Sequence, residues 1–282
     1  MCARQDIQRP DLLAGFLDVG VSLGELARDG ERYRLRGRAS RAIVGDEGDP
    51  LLASAQELLD YHADVYRDLP SCLLGGPQKD YLTGRGELVA RSSRLIEPSI
   101  REVVRELVEG AQQVRILDIG CGSGVYLRHA AEANPEARGI GVDVTPEVVR
   151  HAQANLAGWC IDDRFTVLVA DARDLPAEAA GPFDVIMLLN NIYYFDVGER
   201  PALFRALGSR LASGGALVVV SMMQGRTLTA LHLSLVLAST AGCTPLPDQA
   251  ELIQQLRDSG LAHVRSISLL PGEPVRALVG RA

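Results

Sequence analysis

The sequence predicts an α/β fold: a doubly wound, mostly parallel, seven-stranded sheet carrying a small, mainly helical N-terminal domain. Three observations predict it. From Val114 onward, short apolar runs alternate with helical patterns, as a parallel sheet covered on both faces requires. The first of these runs, VRILDIGCGSGVYLRHAA (114–131), ends in an acid and three alternate glycines before a helix begins. A strand that stops in glycines at a helix N-terminus makes a nucleotide-sized cradle. Small residues let backbone N–H groups approach a ligand, and the helix end favours negative charge. Finally, two terminal runs, 264–270 and 274–280, are joined by Pro271-Gly272-Glu273, a connection short enough only for an antiparallel pair.

The elements follow in order. Residues 1–48 read as a winged-helix-like unit: a helix through Leu12, Leu13, Phe16 and Leu17, a second short helix over 22–30 with Ser22 and Glu25 as a capping box, then a basic ribbon over 33–45. Glycine, acid and proline at 45–50 mark a boundary. Residues 49–112 form linking helices that cover a cofactor or substrate. One spans 51–69 and ends at Pro70, and one spans about 86–109, bent or split at Pro98. Residues 113–282 form the ligand-binding domain. Its strands are 114–119, 139–144, 165–170, 183–189 and 216–221. Thr145-Pro146-Glu147 is a strong helix start after the second strand. A helix over 199–212 precedes the fifth strand, an apolar helix over 227–242 follows it, and another helix spans 247–260. Asp118, Asp143, Asp171 and Asn190 fall at or near the carboxyl ends of four strands, where such sheets bind ligands.

Composition narrows the classes. The 282 residues allow a sizeable core, and the hydrophobic fraction of 47% is ordinary for a globule. A net charge of −7 argues against a broad nucleic-acid footprint. Lys79 is the only lysine, which reads as the coding bias of a GC-rich bacterial genome. The five cysteines, Cys2, Cys72, Cys121, Cys160 and Cys243, lack C-x-x-C spacing, so neither a metal site nor a disulfide framework is expected. The charged start, MCARQDIQRPD, has no apolar signal region, and no apolar run is long enough to span a membrane. The expectation is a cytoplasmic protein with reduced thiols.

The glycine loop has competing readings. A dinucleotide site asks for G-x-G-x-x-G, but the sixth position here is Val125. A tight turn with no ligand is a second possibility. The pattern D-x-G-x-G-x-G, from Asp118 through Gly120, Gly122 and Gly124, resembles motif I of the class I S-adenosylmethionine methyltransferases without a departure. The terminal hairpin is similar to the end of that family's Rossmann-like sheet. The winged-helix-like front and the apolar helix over 227–242 resemble the small-molecule O-methyltransferases that dimerise through an N-terminal domain.

That resemblance implies S-adenosylmethionine as cofactor and a role for each strand end. Asp118 and the loop glycines meet the amino-acid portion. Asp143, with Val144 beside it, accepts from the ribose hydroxyls. Asp171 and Ala172 read the adenine, and Asn190 matches the motif facing the methyl-transfer zone. Apart from the resemblance, the segment 78–93 has two readings: a contact zone in which Tyr81 covers the cofactor and Arg91 or Ser92 meets a carboxylate, or a polar loop and helix start.

One departure is chemical. The family commonly carries Leu-His-x-Trp after the fourth strand, with the histidine as general base. Here the segment is NNIYYFD, so Tyr193 stands for the histidine and Phe195 for the tryptophan. A neutral phenol is a poor base at neutral pH. Either its pKa is lowered, another group such as His232 serves, or the acceptor is a carbon or amine that needs no strong base. The expected activity is methyl transfer to a small apolar or aromatic metabolite at O, N or C. The alternatives are action on a macromolecule, or cofactor binding without transfer. The winged-helix-like front has two readings, a DNA-binding wing or a vestigial wing that packs subunits together; the acidic chain favours the second, so a homodimer through the N-terminal region is expected, with no nucleic-acid or membrane partner.

Overall fold

The structure, a computed structural model, describes residues 7–45 and 48–282. The charged start with Cys2, and residues 46–47 of the 45–50 boundary, lie outside the described residues.

The N-terminal region departs from helix, helix, ribbon. It runs α1 (Pro10–Ser22), β1 (Leu26–Asp29), β2 (Arg32–Leu35) and α2 (Arg38–Val44). Residues 22–30 are therefore not a helix. Gly24, at φ +77°, turns the chain out of α1, and a two-residue turn opening with Gly30 pairs β1 antiparallel with β2. Glu25, read as a capping acid, instead accepts from the Ser40 N–H at 2.9 Å and its hydroxyl at 2.7 Å, fixing the start of α2.

The expected helix over 51–69 is two: α3 (Asp49–Leu59) and α4 (Tyr61–Leu73). Asp60, at the break, accepts from both arms of Arg85 at 2.9 and 3.0 Å, a long-range pairing with no local signature. Pro70 does not end α4. It lies in its last turn, where only the bond to the Tyr66 carbonyl is lost. The helix over 86–109 divides as expected, into α5 (Gly86–Ser93), a short 3-10 turn and α6 (Glu97–Val108), with Pro98 in the first turn of α6.

The remainder alternates: β3 (Arg115–Ile119), α7 (Val125–Ala133), β4 (Arg138–Asp143), α8 (Pro146–Gly158), β5 (Phe165–Val169), β6 (Phe183–Leu189), α9 (Arg200–Gly208), β7 (Leu211–Met222), α10 (Leu228–Ser239), α11 (Gln249–Asp258), β8 (Ala262–Ser268) and β9 (Val275–Arg281). The seven-stranded sheet has the order β5-β4-β3-β6-β7-β9-β8, parallel except for β9, which runs antiparallel to both neighbours. The sheet is central because its strands are apolar on both faces. In β6, Val185, Met187 and Leu189 join the core beneath α6, α7 and α8, while Ile186 and Leu188 join that beneath α9 and α11. Each such buried side chain contributes about 1.5–3 kcal/mol. The chain winds outward from β3 to β5 and returns at β6 on the other side of β3. That reversal opens a crevice at the carboxyl ends of the strands.

Candidate active site

A cavity of about 580 Å³ occupies this crevice. Its floor is the glycine loop, from which Gly120 and Gly122 line it; Gly120, Gly122 and Gly124 have φ of +64°, +53° and +78°. A Cβ at Gly120 would stand 2.6 Å from Asn191 Nδ2, and one at Gly122 would meet nothing within 4 Å. The first glycine is thus required by packing. The second leaves room for a ligand against the backbone.

Asp143 ends β4 on the cavity wall. Its Oδ1 accepts from the Thr145 N–H at 3.0 Å and its Oδ2 from the Gly122 N–H at 3.3 Å, which aligns the carboxylate across the loop. Val144 and Ala172 also line the cavity, as do Asn190 and Tyr193. Asp171, beyond β5, is held by Arg173, whose backbone N–H reaches Oδ1 at 2.8 Å and whose guanidinium lies 3.2 Å from Oδ2. Asn190 turns the chain at φ +58°, a left-handed conformation that asparagine tolerates.

Asp118 lies beneath the loop, 1% exposed, and neither carboxyl oxygen has a hydrogen-bond partner among the described residues. Burial first, and the nearby Asp143 charge second, push its pKa up to about 8. An orphaned acid beside an open glycine loop is what a cationic, hydrogen-bonding ligand end would complete. The residues present therefore fit the amino-acid end of S-adenosylmethionine.

Asp118 and Gly124 lie behind the cavity lining, and four further expected site residues are elsewhere. Tyr81 is buried among Tyr61, Val65 and Val236, and its hydroxyl donates to Asp68 Oδ2 at 2.7 Å, so its neighbour Leu82 lines the cavity instead. Arg91 turns away to pair with Asp49, and Ser92 donates back to the Val89 carbonyl at 3.0 Å. Successive residues on α5 face different ways, and the face toward the cavity carries Gly86, Val89, Ala90 and Ser93. His232 is also not on the cavity wall: its Nδ1 meets the Tyr66 hydroxyl at 2.9 Å and its Nε2 meets His62 Nδ1 at 3.0 Å. Tyr193 is on the wall, but burial pushes its hydroxyl well above the usual tyrosine range, so its pKa is not lowered.

Two residues escaped the sequence reading. Arg94 lines the cavity near Tyr126, itself close to Asp118. Its Nε donates to Glu97 Oε2 at 2.6 Å, and Glu97 Oε1 meets His129 Nε2 at 2.9 Å. Burial opposes the Glu97 charge, yet the bonds to His129 and Arg94 hold the carboxyl well below its usual range. Asn191, 7% exposed, donates to the Ile119 carbonyl and pins the loop. Only the Asn190-Asn191 doublet hinted at it.

Residues 116–215 match the family model described as a methyltransferase domain. Over 173 residues the chain is 31% identical to the ubiquinone biosynthesis O-methyltransferase of Xanthomonas axonopodis pv. citri (strain 306), covering 57% of this chain and 68% of that one. The chain belongs to the S-adenosylmethionine-dependent methyltransferases. Its methyl donor is S-adenosylmethionine, and its fold is shared well beyond the family model. A putative O-methyltransferase from Nostoc punctiforme superposes with a TM-score of 0.77 at 19% identity, over 100% of this methyltransferase and 87% of that chain. An O-methyltransferase family protein from Burkholderia thailandensis gives 0.79 at 21%, over 99% and 86%. Human N-acetylserotonin methyltransferase in complex with SAM gives 0.75 at 14%, over 95% and 82%. These structures span the N-terminal helices as well as the sheet.

Proposed function

We propose that this methyltransferase transfers the methyl group to a hydroxyl of a small, largely apolar or aromatic metabolite. The observation that carries this reading is the continuity of the cavity. It runs from the glycine loop past Asn190 to Tyr193, Tyr194, Leu82 and Val89, so one space serves cofactor and acceptor. The hydroxyl is favoured by the O-methyltransferase of Xanthomonas, of which this chain covers about two thirds.

In this reading Asp143 accepts from the ribose hydroxyls, and Asp171 with the Ala172 N–H reads the adenine. Asp118, Gly120, Gly122 and Gly124 hold the amino group, and Arg94 rather than Arg91 holds the carboxylate. Glu97 and His129 lock the Arg94 fork in place. The sulfonium supplies the electrophilic carbon. The chain supplies alignment for in-line displacement and a wall that excludes water from the transfer zone. Asn190 and Tyr193 border that zone. Isothermal titration with S-adenosylhomocysteine tests the assignment: binding is expected in the wild type and weakened by Asp143→Ala, and unchanged affinity in the variant removes the ribose role.

We also infer a homodimer through the N-terminal region. No residue of α1 is buried within the chain, and Leu12, Phe16 and Val19 are 61%, 74% and 58% exposed. Such a stripe is a contact surface awaiting a partner, and a second copy with the same stripe fits the absence of a basic patch on α1. Analytical ultracentrifugation checks it, and a monomer at micromolar concentration overturns it. The four described cysteines are unpaired, which supports work in a reducing cytoplasm. Among the described residues no helix is long and apolar enough to cross a membrane.

A further inference from the structure

The turn after β6 carries Tyr193, Tyr194 and Phe195 on the cavity wall, and each of their carbonyls is held from outside the turn. The Tyr193 carbonyl accepts from the Thr244 N–H at 2.8 Å and from the Thr244 hydroxyl at 3.2 Å. The Tyr194 carbonyl accepts from the Arg173 guanidinium at 3.2 Å. The Phe195 carbonyl accepts from Arg200 Nε at 3.2 Å, and the same arginine donates to Thr244 Oγ1 at 2.7 Å. Arg200 is 2% exposed, so a buried guanidinium on α9 is committed to fixing this turn and the segment beyond α10 together.

The turn presents the Tyr193 hydroxyl. Among the described residues that hydroxyl has no hydrogen-bond partner, and it is not one of the unpaired polar atoms shut inside the protein, so it opens onto the cavity that Tyr193 lines. The ionisable groups around it are Tyr194 on the same turn, with 4.8 Å between ring centroids, Tyr61 from α4, Glu57 from α3 and Cys243 beyond α10. Tyr61, Glu57 and Cys243 are not on the cavity wall, and the Tyr61 hydroxyl donates to Glu57 Oε1 at 3.2 Å. Burial pushes the Tyr193 and Tyr194 hydroxyls above their usual range. A neutral phenol donates a hydrogen bond near neutral pH and takes up no proton. Among the described residues the cavity wall carries no histidine, and its carboxylates, Asp143 and Asp171, stand at the cofactor end. An acceptor oxygen at this wall therefore meets a fixed donor.

We propose that the acceptor is a hydroxyl acidic enough to ionise in neutral water, an acidic phenol or an enol, bound as its anion with the Tyr193 hydroxyl donating to the ionised oxygen. The assignment rests on the hydroxyl-acceptor reading above. The acceptor gives its proton to water before it binds. The anionic oxygen then bonds to the methyl carbon as the carbon–sulfur bond breaks and its electron pair returns to sulfur. One negative oxygen and one positive sulfonium become a neutral ether and a neutral thioether, so the transfer needs no base in the chamber. A hydroxyl with a pKa of about 10 is ionised to only about one part in 10³ at about pH 7, whereas one that titrates near about 7 is half ionised. A donor held in place by its turn favours the anion, because a hydrogen bond to an ionised oxygen is roughly twice as strong as one to a neutral group.

The test follows methyl transfer to catechol and to 4-nitrocatechol, whose hydroxyl ionises near neutral pH, as the pH is varied. At about pH 7 wild-type kcat/KM is expected to favour 4-nitrocatechol by about tenfold, because far more of it is ionised. Below each acceptor's own pKa, kcat/KM should rise about tenfold per pH unit, so the two acid limbs are displaced by the difference between the acceptors' pKa values. A base in the protein would place both limbs at one pH, and that result overturns the assignment. Tyr193→Phe is expected to raise KM for 4-nitrocatechol about tenfold, to change kcat less and to leave S-adenosylhomocysteine affinity unchanged; an unchanged KM overturns the donor role. Should Tyr193→Phe fold poorly, Thr244→Val, which frees the turn, raises the same KM, and Thr244→Ser restores it. Transfer to catechol but not to 4-nitrocatechol overturns the assignment while the hydroxyl reading stands. Wild-type protein that binds S-adenosylhomocysteine but methylates neither phenol overturns the hydroxyl reading itself, and this assignment with it.

Discussion

The sheet domain and the N-terminal helices use the same apolar residues to different ends. Phe204 on α9 is fully buried against Leu207 and Leu252, whereas Phe16 on α1 is 74% exposed. The sheet domain closes its own core. The helical arm leaves part of its apolar surface open and lends the cavity wall residues that include Leu82, Val89 and Arg94. The fold's own core thus resides in one region, while the other adds side chains to the cavity and keeps an open apolar face.

The contrast can be broken most directly at those two phenylalanines. Phe204→Ala is expected to cost about 3–5 kcal/mol in denaturant unfolding. Phe16→Ala should cost little in the monomer and act through association, so a comparable loss in dilute monomer would erase the distinction. The cofactor site allows the next test. Asp143→Ala, on the sheet side, should weaken S-adenosylhomocysteine binding about 10²-fold, the size of a lost charge-assisted contact. Arg94→Gln, on the helical side, should cost about tenfold, because an exposed guanidinium is partly screened. The reverse order would move the main anchor to the arm.

The smallest effect on binding is electrostatic. The folded Asp118 carboxyl is raised to about 8 from an ordinary 3.8, so folding favours its protonated form. Cofactor-free stability should therefore be greatest below about pH 4 as far as this group goes, and decline as pH rises toward about 8. Cofactor binding, which favours the ionised carboxylate, should release a proton and tighten a few-fold between about pH 7 and about pH 8. Calorimetry in buffers of different ionisation enthalpy reads the proton, and Asp118→Asn should abolish its release.

The sheet was legible because its signals are local. Apolar runs of strand length, the glycine loop, the proline after Thr145 and the terminal turn each fix structure within a few residues, and the strand-end positions of Asp143 and Asp171 follow from them. The arm was legible only in part. Asp-Gly at 29–30 turned a hairpin that the capping-box spacing of Ser22 and Glu25 had suggested as helix, because pairing with β2 outweighs a cap.

Sequence alone determined the α/β class, the glycine loop and the acids at neighbouring strand ends, since each depends on residue type at fixed spacing along one strand or turn. Tertiary structure decided which way each helical side chain points: Arg94 inward and Arg91 out to Asp49, His232 toward His62, Glu57 buried beside Tyr61. Those directions depend on how α3, α4, α5 and α10 pack together. Neighbouring residues on a helix differ by about 100° in direction, so spacing alone does not say which of them meets the cavity.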